Sequence, residues 1–113
     1  MNDEILTNIR DFRDERDWAQ FHNPKDMAIA ISIEASELLE HYLWKTTEES
    51  EQRVQEKRAE ISDEIADIAV YLLELADNLD IDLAHAINNK MEKNAAKYPV
   101  DKSKGSHVKY TEL

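Results

Sequence analysis

The sequence contains no cysteine, only one glycine and only two prolines among its 113 residues. Without cysteine the chain has no disulfide, no zinc–thiolate site and no thiol nucleophile, and this composition fits a reducing compartment. So little glycine and proline leaves few tight turns, which argues against a β-sandwich or a β-barrel. The sequence also lacks an apolar run of about 18 residues and an apolar signal core at its start, so we expect a cytoplasmic protein that does not enter a membrane.

Charge is unevenly distributed along the chain. Asp and Glu number 25 against 14 Lys and Arg, which gives a net charge of −11. From Lys90 to the end there are six lysines and three acidic residues, whereas the first 89 residues carry 8 basic and 22 acidic ones. The acidic surface repels the phosphates of DNA and RNA, so a nucleic-acid polymer is not an expected partner. An acidic region followed by a basic C-terminal segment is compatible with binding a metal ion together with a phosphate. The same charge distribution is also common in proteins where it only promotes solubility.

Helical spacing of apolar residues predicts an all-α fold, a four-helix bundle formed by a single domain of residues 1–113. Ile61, Ile65 and Ile68 repeat by four and three, as in the buried stripe of a bundle helix. Asn23 followed by Pro24 is typical of a helix N-terminus. We expect helices over Asp3–Glu15, from Pro24 to about Trp44, from near Glu51 to near Asn78 and, capped by Asp80 or Asp82, from about Leu83 to Ala96, and then an extended tail over about residues 100–113.

Two pairs of acidic residues lie at the edges of the predicted core. At about 100° per residue, Glu34 falls within about 20° of the inward Met27 on the second helix, and Glu37 lies one step further round. On the third helix, Glu64 and Asp67 flank the isoleucine stripe. A half-buried carboxylate is costly unless it is paired, and few basic residues lie on these faces. A divalent cation such as Mg²⁺ is a suitable partner for the four acids, and the alternative is that each acid lies on a solvated helix flank.

A second group of residues suits a nucleotide. Side chains with aromatic or imidazole rings precede the predicted second helix, end it, and occur again on the third helix. Together these rings can hold a flat base by stacking, although each one alone is also a common core residue. These residues are Trp18, Phe21, His22, Trp44 and Tyr71. Near the end of the fourth helix, several basic and amide side chains lie at helical spacing. They form either a phosphate-binding site or a solvated basic face. This set is Lys90, Lys93, Asn94 and Lys97.

Six segments resemble a known family. EASELLE (34–40), DEIADIAVYL (63–72) and NKMEKNAAKYP (89–99) resemble the MazG-like, all-α nucleoside triphosphate pyrophosphohydrolases. ERDWAQFH (15–22), YLWK (42–45) and GSHVKYTEL (105–113) resemble more narrowly the dCTP pyrophosphatase branch of that family. The similarity covers nearly the whole chain, and the segments together are more specific than the ExxE…ExxD pattern alone.

The resemblance implies an enzyme that hydrolyses a nucleoside triphosphate such as dCTP between the α and β phosphates and that needs Mg²⁺. It implies metal ligation by Glu34, Glu37, Glu64 and Asp67. It implies a base pocket of Trp18, Phe21, His22, Trp44 and Tyr71, and phosphate contacts from Lys90, Asn94, Lys97 and Tyr98. One position departs from the family, because relatives can bring a polar side chain from the first helix where this chain has Ile9.

The resemblance also implies a homotetramer or a homodimer, with Ile29 and Ile33 as interface residues. Direct attack by water fits the residues better than a covalent intermediate, with Glu37 or Glu64 orienting or deprotonating the water. Lys90 or Lys97 is expected to stabilise the pyrophosphate leaving group. Two alternatives stay open: a pyrophosphatase for dUTP or for modified or other nucleotides, and a non-enzymatic helical module whose apolar stripes bind a partner helix.

Overall fold

A computed structural model of the chain describes residues 3–113, and their regular structure is entirely helical. The six α-helices are α1 (Asp3–Glu15), α2 (Pro24–Glu40), α3 (Thr47–Glu56), α4 (Arg58–Asn78), α5 (Leu83–Lys97) and α6 (Val100–Ser103). Two short 3₁₀-helices cover Ala19–Phe21 and Tyr110–Glu112. The all-α prediction is confirmed. The predicted count of four is wrong, because the third predicted helix is two helices and the tail contains a further one.

Local backbone geometry explains where α2 begins and ends. The Asn23 side chain accepts a hydrogen bond of 2.9 Å from the backbone N–H of Asp26, and Pro24 opens the helix, as predicted. The helix ends at Glu40 and not near Trp44, because the next residues form turns and Trp44 has a φ of +63°. A positive φ at a residue other than glycine is incompatible with a continuing right-handed helix.

A separate helix start distinguishes α3 from α4. Thr46 and Glu49 form a capping box: the Thr46 hydroxyl accepts from the Glu49 N–H at 3.2 Å, and the Glu49 carboxylate accepts from the Thr46 N–H at 3.1 Å. α3 therefore begins earlier than predicted, at Thr47. At Lys57 the backbone leaves the helical region, with a φ of −122° and a ψ of 29°, and α4 follows. The apolar stripe used for the prediction begins only at Ile61, so it described α4 alone.

α4 contacts the other helices of the first compact unit, which ends at Asp80. Its contact with α2 is more extensive than those with α1 and α3. Hydrogen bonds fasten α1 to α4: the Arg10 Nε donates to the Asp77 Oδ2 at 2.8 Å, and the Arg13 Nη1 donates to the Asn78 Oδ1 at 2.9 Å. The α2–α4 contact is the one that positions the two predicted acidic pairs.

The buried core of this unit is small. Its buried apolar side chains, among residues 3–113, are Ile9, Met27, Ile61 and Ala76. On α2, by contrast, Ile29 and Ile33 expose 50% and 54% of their surface. Exposed apolar area of this kind is a feature of protein–protein interaction surfaces.

The second compact unit comprises Ile81–Leu113. Asp82 caps α5 by accepting a hydrogen bond of 3.1 Å from a backbone N–H of the first turn. The ring centroids of Tyr98 and Tyr110 lie 5.8 Å apart, and the Lys97 Nζ lies 4.7 Å from the Tyr110 ring centroid. The prediction of an extended tail is wrong in part, because the tail contains α6 and a 3₁₀-helix, and the prediction of a single domain stays a prediction. In the part of the chain that the structure describes, no helix is both long and apolar enough to cross a membrane.

Candidate active site

Three carboxylates from two helices lie close together. Glu34 and Glu37 are three residues apart on α2 and therefore share a face, and Glu64 lies on α4, which packs against α2. One carboxylate oxygen from each of the three lies within 4.8 Å of those of the other two. We call Glu34, Glu37 and Glu64 the carboxylate cluster. The pairing of α2 with α4 thus brings together three of the four predicted metal ligands.

The electrostatics of the carboxylate cluster favour a positively charged partner. Burial, a hydrogen bond with Glu37 and the negative charges of neighbouring acids raise the pKa of Glu34 to about 7. Burial, a hydrogen bond with Glu37 and the charges of Glu37 and Asp67 raise the pKa of Glu64. The Oε2 atoms of Glu34 and Glu64 are buried and have no hydrogen-bond partner among the described residues. Because a buried oxygen without a partner is costly, the cluster fits the oxygen-only ligand set of a hard divalent cation.

Asp67, the fourth predicted ligand, lies outside the carboxylate cluster. It is three residues after Glu64 on α4, and its negative charge contributes to the raised pKa of both Glu34 and Glu64. The side chains of Asp67 and Glu34 both line an adjoining cavity. The structure therefore has Asp67 beside the cluster and not within it.

The adjoining cavity, which we call the aromatic cavity, has a volume of about 460 Å³. Its apolar lining consists of Ile9, Phe12, Trp18, Val70 and Tyr71. The Trp18 ring centroid lies 5.7 Å from that of Phe12 and 6.3 Å from that of His22, and the His22 centroid lies 6.4 Å from that of Tyr71. A concave, mostly apolar space with a few polar groups is typical of a site for a small molecule.

The aromatic cavity contains three of the five residues predicted for the base pocket, namely Trp18, His22 and Tyr71. Phe21 and Trp44 do not line it, and Trp44 exposes 93% of its surface. Burial, together with the negative charge of nearby acids, raises the pKa of the Tyr71 hydroxyl. The contact of Phe21 and Trp44 with a base stays a prediction.

α1 contributes both apolar and polar groups to the aromatic cavity. Ile9, at the position where the family resemblance implies a polar side chain, is buried and forms part of the wall. The neighbouring Asn8 also lines the cavity. The first helix therefore does bring a polar side chain to this cavity, one residue away from the expected position.

One polar group in the lining of the aromatic cavity was not predicted from the sequence. Glu74 of α4 is 3% exposed, and its Oε1 lies 2.9 Å from the His22 Nδ1 and 3.8 Å from the Arg13 Nε. These neighbours offset the cost of burying its carboxylate. The signal that would have revealed Glu74 is its spacing, because it lies two turns after Asp67 and so on the same face of the helix.

Glu37 and Glu64 also line a polar surface pocket. Arg53 of α3 lies in this pocket, with its Nε 3.4 Å from the Nδ1 of His41. His41 is a hydrogen-bond partner of Arg53 and lies outside the carboxylate cluster. Because α3 is a separate helix that packs against α4, it brings a guanidinium to the edge of the carboxylate cluster.

The residues predicted to contact phosphate belong to the second compact unit. Lys90, Asn94 and Lys97 lie on α5 at spacings of four and three, so they share one face, and Tyr98 follows the last residue of that helix. Their role in the site stays a prediction.

Known proteins resemble this chain over most of its length. It is 42% identical over 105 residues to dCTP pyrophosphatase 1 of Rattus norvegicus and 38% identical over 105 residues to dCTP pyrophosphatase 1 of Homo sapiens. Both alignments cover 91% of this chain, and the chain spans 62% of the length of these curated relatives. A crystal structure of a pyrophosphatase from Archaeoglobus fulgidus DSM 4304 has a TM-score of 0.83 at 43% identity, over 86% of this chain and 91% of that one.

A family model also matches the sequence, over residues 29–113. The matched region includes the carboxylate cluster and Asp67, and the solved pyrophosphatase shares the fold of this chain. The resemblance expected from the sequence motifs is therefore confirmed, and the chain belongs to the MazG-like family.

Proposed function

We propose that this chain is a Mg²⁺-dependent nucleoside triphosphate pyrophosphatase that hydrolyses dCTP, or a related pyrimidine deoxynucleotide, to the monophosphate and pyrophosphate. One observation carries the proposal: Glu34 belongs both to the carboxylate cluster and to the lining of the aromatic cavity. A nucleotide whose base occupies that cavity has its phosphates within reach of a cation held by the cluster. The dCTP pyrophosphatases and the archaeal pyrophosphatase that resemble this chain support the same activity.

The aromatic cavity suits a flat pyrimidine. Its volume of about 460 Å³ falls within the range of small-molecule sites, about 300–1,000 Å³. Trp18 and Tyr71 offer ring surfaces on which a base can stack, and such stacking contributes roughly 1–3 kcal/mol per base. The polar groups of His22 and Glu74 then give the cavity a means of distinguishing one base from another.

The carboxylate cluster fits a Mg²⁺ ion. Its donors are all oxygens, the atoms that Mg²⁺ prefers, and two of them are buried without a hydrogen-bond partner among the described residues. We assign the ion to Glu34, Glu37 and Glu64, with Asp67 as a fourth ligand. When bound, the ion neutralises charge on the phosphate oxygens and supplies Lewis-acid chemistry.

Side chains of the chain itself provide the other elements of catalysis. Glu37 or Glu64 orients the attacking water and accepts its proton. Positive charge on α5 stabilises the negative charge that develops on the departing pyrophosphate. We assign phosphate contact to Lys90, Asn94, Lys97 and Tyr98.

We infer that the chain assembles with copies of itself, as a homotetramer or a homodimer. The support is the small buried core together with the exposed Ile29 and Ile33, which line an open surface groove along α2. Burial of such apolar area stabilises an assembly by roughly 25 cal/mol per Å². Phe21 and Trp44, exposed in one protomer, would find a neighbouring surface to contact in such an assembly. The cytoplasmic location stays a prediction.

A panel of nucleotides tests the proposed activity. The wild-type chain is incubated with Mg²⁺ and sub-saturating dCTP, 5-substituted dCTP, dUTP, dTTP, dATP or dGTP, and the rate of pyrophosphate release gives relative kcat/KM values. We expect dCTP to be hydrolysed fastest. Faster hydrolysis of dUTP or of a modified dCTP would identify that nucleotide as the substrate, and equal rates for purines would contradict a pyrimidine site. No hydrolysis of any nucleotide would favour the helical interaction module.

A further inference from the structure

Glu74 is a buried acid that no step of the proposed hydrolysis uses. It is 3% exposed, and among the described residues it is the one charged side chain that is buried. Its Oε1 lies 2.9 Å from the His22 Nδ1 and 3.8 Å from the Arg13 Nε. Arg13 is itself held by hydrogen bonds of 2.8 Å to Asp14 and 2.9 Å to Asn78. Glu74 therefore has fixed partners, and one of them, His22, lines the aromatic cavity.

The contact with Glu74 determines which ring nitrogen of His22 carries a proton. A carboxylate accepts hydrogen bonds but does not donate them, so the His22 Nδ1–H is the donor in this contact. In the neutral ring the lone pair then lies on Nε2, which becomes a hydrogen-bond acceptor. His22 lines the aromatic cavity and its Nδ1 is engaged by Glu74, so Nε2 is the ring nitrogen that remains for a ligand in the cavity.

An acceptor at Nε2 distinguishes two kinds of pyrimidine. Cytosine carries an amino group, which is a donor, at the ring position where thymine and uracil carry a carbonyl oxygen, which is an acceptor. The Nε2 lone pair of His22 can accept from the amino group, whereas it repels the carbonyl oxygen. A site that is built to hydrogen-bond a donor discriminates strongly against an analogue that lacks it, because the buried acceptor is left unpaired.

We propose that Glu74 is a positioning residue for base selection: by holding His22 with its Nδ1 protonated, it makes the aromatic cavity select an amino-bearing pyrimidine over its keto counterpart. This inference rests on the proposed function for the location of the base, and it goes further by naming the residue that sets the choice. Glu74 acts through His22, because its side chain is 3% exposed and its Oε1 is engaged by the imidazole.

The kinetic test compares Glu74→Gln with a matched control. Glutamine keeps the shape of the side chain but can donate as well as accept, so Nδ1 no longer has to carry the proton. We expect the ratio of kcat/KM for dCTP to that for dUTP to fall by about tenfold or more, through a higher KM for dCTP, with kcat for dCTP within about twofold of wild type. Asp77→Asn makes the same chemical change three residues later, at a side chain that pairs with Arg10, and should leave the ratio unchanged.

A purely structural role of Glu74 would lower the turnover of dCTP and dUTP by the same factor. An unchanged dCTP-to-dUTP ratio in Glu74→Gln therefore overturns the proposal, as does a wild-type ratio near one. The ¹⁵N resonances of the His22 ring provide a test on the wild-type chain, independent of any variant of Glu74. We expect a protonated Nδ1 and an unprotonated Nε2 in the neutral ring, and the opposite tautomer contradicts the proposal.

Failure of the proposed function would be distinguishable from failure of this inference. If the wild-type chain hydrolyses no nucleotide, the proposed activity is wrong, and base selection is then measured as the binding of dCMP and dUMP in the presence of Mg²⁺ by calorimetry. Tighter binding of dCMP that is lost in Glu74→Gln and kept in Asp77→Asn supports the role of Glu74. Equal binding of the two monophosphates by the wild-type chain overturns it.

Discussion

Glu34 of α2 and Glu64 of α4 each bury one carboxylate oxygen, Oε2, that has no hydrogen-bond partner in the described chain. Their carboxylates lie within 4.8 Å of each other, and burial raises the pKa of both groups. Two ionised acids in this arrangement repel each other and lack the water that would solvate them. A cation that ligates both oxygens removes both costs, so we expect activity and stability alike to depend on it.

Removing one charge from the carboxylate cluster should abolish turnover without unfolding the chain. Glu64→Gln keeps the shape of the side chain, and we expect turnover to fall by about a hundredfold or more, because a ligand to the ion is lost. The melting temperature of the metal-free chain should stay the same or rise, since a repulsive charge is removed. Asp63→Asn, a change at an exposed neighbour outside the cluster, is the control and should keep full activity. Full activity in Glu64→Gln would reject a metal role for this position.

The stability of the metal-free chain should depend on pH through Glu34. Its folded pKa is raised from 4.5 to about 7, so the folded chain binds a proton more tightly than the unfolded chain. The stabilising contribution of protonated Glu34 is fully present below about pH 4.5 and is lost as the pH rises through about 7. Mg²⁺ competes with this proton, so the increase in melting temperature on adding Mg²⁺ should be larger at pH 8 than at pH 6.

Differential scanning calorimetry with Mg²⁺ or with EDTA measures this effect at the two pH values. Glu34→Gln lacks the titrating group and serves as the comparison. An increase in melting temperature that is equal at both pH values would show that the ion and the proton do not share a site.

Trp44 should affect substrate binding more than stability. It exposes 93% of its surface in the protomer, so Trp44→Ala should leave the helical fold of the protomer intact, as measured by circular dichroism. If an assembly brings its ring to a base, as the family resemblance implies, the variant should raise the KM for dCTP and weaken the preference among bases. Steady-state kinetics across the nucleotide panel measures both. Kinetics identical to wild type for every base would show that Trp44 has no role in the site.

The exposed face of α2 should hold the oligomer together. Ile33→Glu replaces an apolar side chain that is 54% exposed in the protomer with a charged one. Because burying that charge in an interface is costly, we expect the variant to shift the assembly toward monomers. Ile33→Val keeps the apolar character and should assemble as the wild type does. Sedimentation equilibrium gives the mass of each variant, and circular dichroism shows whether its helices are retained. An unchanged mass for Ile33→Glu would locate the interface on a different surface.

Local signals made part of the fold predictable. The bounds of α1 and the Asn23 cap of α2 depend on residues that are adjacent in sequence, so the sequence was enough to find them. The end of α2 at Glu40 and the start of α3 at Thr47 depend on the positive φ of Trp44 and on the capping box of the following residues. Neither feature changes the spacing of apolar residues. A prediction from that spacing therefore makes α2 too long and joins α3 to α4.

The candidate site was predictable where helix faces determine it. The position of Glu34 beside the apolar stripe of α2, and that of Glu64 beside the stripe of α4, implied that these side chains would meet when the stripes pack together. The spacing of α4 puts Glu74 on the same face as Asp67. Its pairing with His22 could not be found in this way, because His22 lies 52 residues away in the sequence, before α2. Pairing between a helix and a distant loop depends on tertiary packing, which residue spacing does not describe.

The proposed activity is decided by the products that the wild-type chain forms from dCTP with Mg²⁺ and with EDTA. Anion-exchange chromatography of the nucleotides, together with separate assays for pyrophosphate and inorganic phosphate, identifies which bond is cleaved. We expect equal amounts of dCMP and pyrophosphate with Mg²⁺ and neither product with EDTA. Formation of dCDP and inorganic phosphate would contradict the proposed cleavage between the α and β phosphates. Hydrolysis that continues without the metal would contradict the metal-binding role proposed for Glu34, Glu37 and Glu64.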